Sequence, residues 1–299
     1  MQREVLDFLK MHDVEYKENL LLSTVSPIGI GAEAELVVYP GDNDQFALLL
    51  IFLEKSKIKY KIAGRMSNLL PPDRKYEKIL IRTDRLNLVN IKEHGLLAYS
   101  GVPLVALSRK LCEVGLSGFE ELSGIPGSIG GAVASNAGAF GREVADCLVK
   151  LTVFDRFSGD VDDISSEELN FSYRHSSILD KGYVILSAEF LLTEDSPLKI
   201  KQRIENYKER RINTQPVGYP SLGSTFKRPS KDVYAARLID ECGLKGKRIG
   251  GAEISSKHAG VIINVGGASA RDYIDLSDYA MNVVYEKFGL KLEREIEIM

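Results

Sequence analysis

Two kinds of residue in this chain carry chemical possibilities: a dense glycine tract, and a few polar side chains set among apolar or turn-forming neighbours. Residues 124–141, GIPGSIGGAVASNAGAFG, hold six of the chain's 26 glycines in 18 positions. Glycine has no Cβ and reaches positive φ cheaply, so a backbone rich in it approaches a ligand closely and its N–H groups become the donors. Successive N–H groups facing a concavity, or ending at a helix start, make a seat for a pyrophosphate. Ser123, Ser128, Ser135 and Asn136 are interleaved with these glycines. A run of tight turns packed in a core would have the same composition. The spacing is not that of a Rossmann fingerprint, since no strand-GxGxxG-helix unit with an acid about 20 residues on can be read here. A second turn, Gly64-Arg65-Met66-Ser67-Asn68, follows the strand-like Tyr60 to Ala63. A third cluster, 243–267, sets Lys245, Lys247, Arg248, Lys257 and His258 among seven glycines. It reads either as a holder of polyanions or as a solvated basic loop.

Three single residues stand out. Arg174, in FSYRHS (171–176), lies among aromatic and small residues, as a buried cation facing a substrate carboxylate would; a surface position is the alternative. Ser224, in GSTF, follows a breaker cluster and precedes an apolar residue, the setting of a turn serine. Glu295 alternates with Glu293 and Glu297 in LEREIEI, which places the three acids on one face of a strand and Leu292, Ile296 and Ile298 partly on the other. An exposed edge strand fits that pattern equally well.

Strands and helices must position these groups. Short β-branched or aromatic runs predict strands at Ala34–Tyr39, Tyr60–Ala63, Lys78–Arg82, Leu96–Tyr99 and Val149–Phe154. Helical spacing predicts helices over residues 3–20, 44–55 and 103–114, the last stopping at Gly115. The charged run KIKQRIENYKERR predicts an exposed, salt-bridged helix. The breakers Pro216, Gly218 and Pro220 follow it, and then a helix from about Lys231 to Cys242. The alternation argues for an α+β or α/β fold, with a domain boundary near residue 200.

Composition bounds the rest. At 299 residues about two domains are expected, with a core that needs no disulfide or structural metal. A net charge of −3 gives no electrostatic footprint for nonspecific nucleic-acid binding. Cys112, Cys147 and Cys242 lack metal-ligand spacing and read as reduced core thiols. The N-terminus carries acids and no signal-like apolar run, and the longest apolar run, Phe46 to Leu53, is far short of the roughly 20 residues of a membrane span. A cytoplasmic protein that binds small molecules, without metal, nucleic acid or membrane, is the expectation.

In order, the segments 123–141, FSYRHS (171–176), YPSLGSTFKRP (219–229), AARLIDECGLKGKRIGGAEISSKHAGVIINVGGASARDY (235–273) and LEREIEI (292–298) resemble the UDP-N-acetylenolpyruvoylglucosamine reductase (MurB) family. The likeness covers about residues 20–299, and the short span after Arg174 is similar to that of the shorter, type II subclass. The resemblance implies an α+β fold: a two-lobed FAD-binding domain of the vanillyl-alcohol-oxidase (PCMH) type over residues 1–199, with lobes of about 1–84 and 85–199, and an α+β substrate-binding domain over 200–299. FAD would be held by Gly64, Ser67 and Asn68, and by Ser123, Gly124, Ile125, Pro126, Gly127, Ser128, Gly130, Gly131, Asn136, Ala137 and Gly138. Arg174, Ser224 and Glu295 would match the catalytic arginine, proton donor and glutamate. Tyr173, Lys227, Arg228, Arg237, Lys257 and His258 would contact substrate.

The implied reaction is the NADPH-driven reduction of the enolpyruvyl ether of UDP-N-acetylglucosamine, a step of peptidoglycan precursor synthesis, by a monomer. Hydride passes from NADPH to flavin N5 and then to substrate C3, and Ser224 protonates C2. Arg174 would stabilise the enolate-like charge that develops between. The chain departs from the family pattern in four places. GxGSN reads GRMSN, with Met66 for a glycine; Pro71-Pro72 stand in a usually strand-like run; IGIGAEAEL (28–36) replaces a GGPA-containing stretch; and Arg228 stands where asparagine is usual. Another flavin oxidoreductase of the same fold, or a flavin-deficient noncatalytic paralogue, are the rival readings.

Overall fold

The computed structural model describes residues 2–299. Among the described residues seven α-helices alternate with short strands: α1 Gln2–Met11, α2 Asn43–Lys55, α3 Leu104–Val114, α4 Ile129–Ala134, α5 Pro197–Thr214, α6 Ala235–Glu241 and α7 Ala270–Phe288. The chain forms two compact units. The first takes the chain up to Glu18, Leu36–Arg65 and Lys78–Glu209; the second takes Asn19–Glu35, Met66–Glu77 and Arg210–Met299.

In the first unit, parallel pairing sets Ile79–Arg82 between Glu33–Tyr39 and Tyr60–Ala63, a buried arrangement that suits their continuous apolar runs. Helix α2 lays Phe46, Leu49, Leu50 and Leu53 into the core beneath it. Its start is capped by Asp42, whose carboxylate accepts the Gln45 N–H at 2.8 Å. A five-stranded antiparallel sheet follows, in the order Val161–Ser165, Leu148–Asp155, Tyr183–Leu191, Gly95–Tyr99, Val89–Lys92. Helices α3 and α4 pack on its apolar face through Leu104, Leu107, Leu111, Ile129 and Val133. Helix α3 ends at Gly115 in the left-handed region (φ 77°), as its sequence predicts.

The second unit carries a four-stranded antiparallel sheet, in the order Ser221–Ser224, Val261–Asn264, Ala252–Ile254, Arg248–Ile249. Its core includes Ile239, Ile262, Tyr273, Leu276 and Val284. Helix α7 supplies much of it and has a capping box, Ser269 with Asp272.

Several expectations change. The first helix stops at Met11, because Asp13 turns to φ 51° and residues 15–21 pair as a strand. The helix expected from Lys231 begins only at Ala235, after a tight Ser230–Val233 bridge has used the preceding residues. Of the three thiols only Cys147 is a core residue, where burial pushes its pKa to about 12; Cys112 and Cys242 are half-buried. The charged α5 is not merely solvated. Its Arg203 pairs with the buried Glu120 at 2.7 Å and with Asp195 at 2.8 Å. Among the described residues no helix is long and apolar enough to cross a membrane, and no cluster of metal-ligating side chains is present.

Candidate active site

The glycine tract folds into a 3-10 turn (Glu121–Gly124), the start of α4, and a two-residue hairpin joining Gly138–Ala139 to Arg142–Glu143. The first two N–H groups of α4 are already spent, Ile129 donating to Val102 (2.9 Å) and Gly130 to Ser100 (2.8 Å). The seat is therefore not the helix start as a whole. Among the described residues the N–H groups of Gly127, Ser128 and Gly131 have no acceptor within the protein. Gly64, at the end of Tyr60–Ala63, approaches so closely that a Cβ there would lie 2.2 Å from Ser128 Oγ. Beside this contact the hydroxyls of Thr83 and Ser100 are buried without a partner. Unspent N–H groups and hydroxyls gathered beside Gly64, where no side chain fits, suit the pyrophosphate of a flavin dinucleotide.

Asn136 plays a different part. It is 1% exposed, its amide donates to Glu143 (2.7 Å) and to the Ser172 carbonyl (3.0 Å), and its Oδ1 accepts the Ala145 N–H. These bonds tie the tract to the turn that carries Arg174. Ser172 and His175 exchange backbone hydrogen bonds, leaving Tyr173 and Arg174 as a two-residue loop with Arg174 at φ 56°. The guanidinium donates to the Gly138 carbonyl at 2.9 Å and lies 5.0 Å over the Tyr173 ring. The structure thus joins Arg174 to the glycine tract, which sequence spacing alone does not show.

In the second unit Ser224 ends a strand whose register against Val261–Asn264 slips between Ser221 and Ser224. Gly223 beside it takes φ 73°. A bulge of this kind re-aims a side chain, and such bulges are over-represented next to active sites. The next residue, Thr225, is wholly buried, its Oγ1 sharing a hydrogen bond with Tyr273 at 2.9 Å. Among the described residues the Ser224 hydroxyl has no hydrogen-bond partner and is half-buried. The Glu295 segment runs antiparallel beside it: Glu295 N–H donates to the Thr225 carbonyl (2.8 Å), and Lys227 N–H to Glu293 (2.9 Å).

Asn68 clamps the same segment. Its amide donates to the Glu295 carbonyl at 3.0 Å and its own carbonyl accepts the Glu297 N–H at 2.9 Å. Leu292 and Ile296 face inward as the alternation predicts, but the segment is not one continuous strand: Arg294 makes a single bridge to Phe226, Glu297–Ile298 pairs separately with Leu69–Leu70, and Ile298 is exposed.

The remaining cations are engaged locally. Lys227 pairs with Glu293 (2.6 Å), Arg237 with Glu241 (2.7 Å), Lys245 with Asp240 and Arg248 with Glu253. Lys257 donates to the Ile212 carbonyl, Lys247 sits over Tyr279, and Arg228 lies 5.6 Å over the Tyr234 ring. Burial holds the His258 pKa below the usual imidazole range, and its Nδ1 accepts the Gly260 N–H. Sequence reasoning missed Thr83 and Ser100, which nothing in a single sequence marks, and the long helix α7, whose Ser269-x-x-Asp272 cap was legible.

Comparison with known proteins follows this geometry. Residues 34–165 match the FAD binding domain family, and residues 215–299 match the family described as UDP-N-acetylenolpyruvoylglucosamine reductase, C-terminal domain. The UDP-N-acetylenolpyruvoylglucosamine reductase of Streptococcus pneumoniae strain JJA is 38% identical over 299 residues, all of this chain and 98% of that protein. That of a serotype 4 strain is 38% identical over all of this chain and 93% of its own length. The crystal structure of the Thermus caldophilus UDP-N-acetylenolpyruvylglucosamine reductase superposes with a TM-score of 0.81 at 31% identity, over 95% of this chain and 98% of that one.

Proposed function

The chain belongs to the UDP-N-acetylenolpyruvoylglucosamine reductase family, and on that premise we propose that it reduces the enolpyruvyl ether of UDP-N-acetylglucosamine to UDP-N-acetylmuramate, with FAD as cofactor and NADPH as reductant. The observation that carries this reading is the extent of the likeness: it runs through residues 215–299, beyond the flavin domain that many oxidoreductases share. An oxidase of similar fold would have no need of that segment.

When bound, FAD would supply the redox chemistry, relaying the reducing equivalents of NADPH as hydride. The chain's own residues do the rest. The N–H groups of Gly127, Ser128 and Gly131, with the turn at Gly64, would hold its pyrophosphate. As hydride arrives, negative charge moves toward C2 and the substrate carboxylate, where a fixed cation is worth most. Arg174 is assigned that role, with its guanidinium already oriented by the Gly138 carbonyl. Glu295 orients or polarises the same group, on a backbone held by Asn68 and Thr225. Ser224 Oγ–H gives its proton to C2. An alcohol is a weak acid, but a carbanion-like carbon is a strong base and placement decides the transfer. A hydroxyl with no partner of its own suits this task.

We assign residues 1–199 to flavin binding and 200–299 to substrate, and take the enzyme to act as a monomer in the cytoplasm. Turnover of the purified protein with the UDP-enolpyruvyl sugar tests the proposal. Stoichiometric, substrate-dependent NADPH oxidation is expected. Oxygen consumption that needs no NADPH would replace it with an oxidase, and protein that stays colourless after FAD is added would replace it with a noncatalytic paralogue.

A further inference from the structure

Three residues other than glycine take the left-handed backbone region within one bonded patch of the first unit: Asn136 (φ 44°), Phe140 (φ 53°) and Arg174 (φ 56°). Such residues persist where their surroundings over-determine them. Phe140 is the one in need of a cause. With Gly141 (φ 91°) it forms the loop between paired Ala139 and Arg142. Two positive-φ positions are the requirement of a type I′ turn, whose first place asparagine, aspartate or glycine normally takes. A phenylalanine there that is 40% exposed serves neither the turn nor the core. Its ring instead stacks on Tyr207 of α5, with centroids 4.9 Å apart and planes 28° from parallel, and the Tyr207 hydroxyl donates to Glu121 at 2.8 Å. At the other end of the same hairpin the Gly138 carbonyl receives Arg174 Nη2, and the Glu143 carboxylate receives the Asn136 amide that also holds Ser172.

We propose that Phe140 and Tyr207 are a positioning pair for the reaction: their stack fixes the Gly138–Glu143 hairpin, and through the Gly138 carbonyl it fixes the direction of the Arg174 guanidinium. The inference rests on the reading of Arg174 as the residue that meets developing charge. A hairpin with two residues per strand is marginal on its own, so the stack to a long helix gives it a second anchor. A charge-stabilising donor must be placed to within a fraction of an ångström, since misplacement by 1 Å costs as much as about 100-fold in rate.

Phe140→Gly is the sharp test, because it deletes the ring while relieving the left-handed backbone, and so does not endanger the fold. In the flavin-loaded enzyme kcat is expected to fall roughly tenfold, with KM for the enolpyruvyl substrate within about twofold and flavin reduction by NADPH unchanged. Tyr207→Leu should do the same, and Tyr207→Phe, which keeps the stack, should retain most of the rate. The side-chain Nε–H resonance of Arg174, identified by its loss in Arg174→Lys, is a readout independent of turnover. It should shift or broaden in Phe140→Gly and Tyr207→Leu but not in Tyr207→Phe. In an Arg174→Lys background Phe140→Gly should cost nothing more. Full kcat with an unmoved Arg174 resonance in Phe140→Gly, or additive losses in the double variant, overturns the pairing. Wild-type kcat in Arg174→Lys overturns the reading of Arg174 instead, and the resonance then judges the pair by itself.

Discussion

Gly64→Ala probes the flavin seat at its tightest point. Gly64 does not sit at positive φ, so the backbone accepts alanine and the difficulty is space alone. The new methyl would lie 2.2 Å from Ser128 Oγ and 3.2 Å from Ser128 Cβ. Rotating the hydroxyl relieves the first contact. The second remains, and Ser128, 2% exposed at the head of α4, must then move by a few tenths of an ångström. Forcing one methyl into a packed site costs about 1–3 kcal/mol. Because Ser128 and its neighbour Gly127 carry the unspent N–H groups, the cost falls on the seat. The same energy expressed in binding loosens FAD by about 5- to 150-fold. Flavin content of the purified protein and a fluorescence titration of the flavin-free protein measure this, and melting curves with and without FAD separate loss of fold from loss of seat. Gly64→Ala/Ser128→Gly removes both contacting atoms and should recover most of the affinity. Wild-type affinity and melting in Gly64→Ala would show that the close approach does not exist. An equal loss in the double variant would show that Ser128 is not its cause.

Arg174→Ala should lower kcat by about 100- to 1000-fold, the usual cost of losing one preorganised donor to developing charge, as steady-state kinetics will show. Ser224→Ala should leave NADPH reduction of the flavin intact and slow the second half-reaction, since only that half needs the proton; stopped-flow traces showing both halves equally impaired would remove Ser224 from its role. The third concerns pH. Burial works to raise the Glu120 pKa, but Arg203, the Gly118 N–H and the Ser117 hydroxyl outweigh it and hold the carboxyl below its usual value of 4.5. A depressed carboxyl stabilises the fold above its unfolded pKa, and that contribution is lost as pH falls through the folded value. Arg203→Ala should therefore lower stability at neutral pH by about 1.5–3 kcal/mol and make the acid limb of the melting-temperature profile shallower, because burial, no longer outweighed, brings the folded pKa up toward the unfolded one. An acid limb identical to wild type would dismiss the pair.

The elements that the sequence made legible are those whose local pattern and tertiary role agree. Tyr60–Ala63 appears with the predicted bounds because a short run carrying Tyr60 and Ile62 is also a parallel edge, and α3 stops at Gly115 because only glycine takes φ 77° at no cost. Residues 15–21 misled, since EYKENLL is charged enough to continue a helix and only pairing makes it a strand. The candidate site was legible by residue type and not by arrangement. Arg174, Ser224 and Glu295 stand out in sequence, but the bonds that aim them come from distant residues: Gly138 for Arg174, Val261 across the bulge for Ser224, Asn68 for Glu295. The family resemblance puts Asn136 and Asn68 among the flavin-binding residues. Here each amide makes hydrogen bonds within its own unit.

The departures from the family pattern compensate one another within the second unit. Met66, where a glycine is usual, takes φ 55° and is 2% exposed. A left-handed side-chain residue costs about 1–2 kcal/mol, and burying a methionine returns about 1.5–3 kcal/mol, so the turn keeps a glycine's geometry without a glycine. The prolines work in the same way. Leu69–Leu70 pairs with Glu297–Ile298 for two residues only, and Pro71 ends the strand. Its ring then fills the space beside Gly31, where a Cβ would meet Pro71 Cβ at 2.7 Å at a φ of 131°. The glycine of the unusual IGIG stretch and the unusual proline are therefore a matched pair. Pro72 retains a carbonyl for the Ala32 N–H at 2.9 Å, and Asp73 accepts the first N–H groups of α7 from Ala270 and Arg271 at 2.6 and 2.9 Å. The segment after Pro71 thus serves as a helix cap, and the backbone that leads to Asn68 and through it to Glu295 is held from both sides. Substitutions that look like erosion of a cofactor turn, taken singly, are together an alternative way of building the same support.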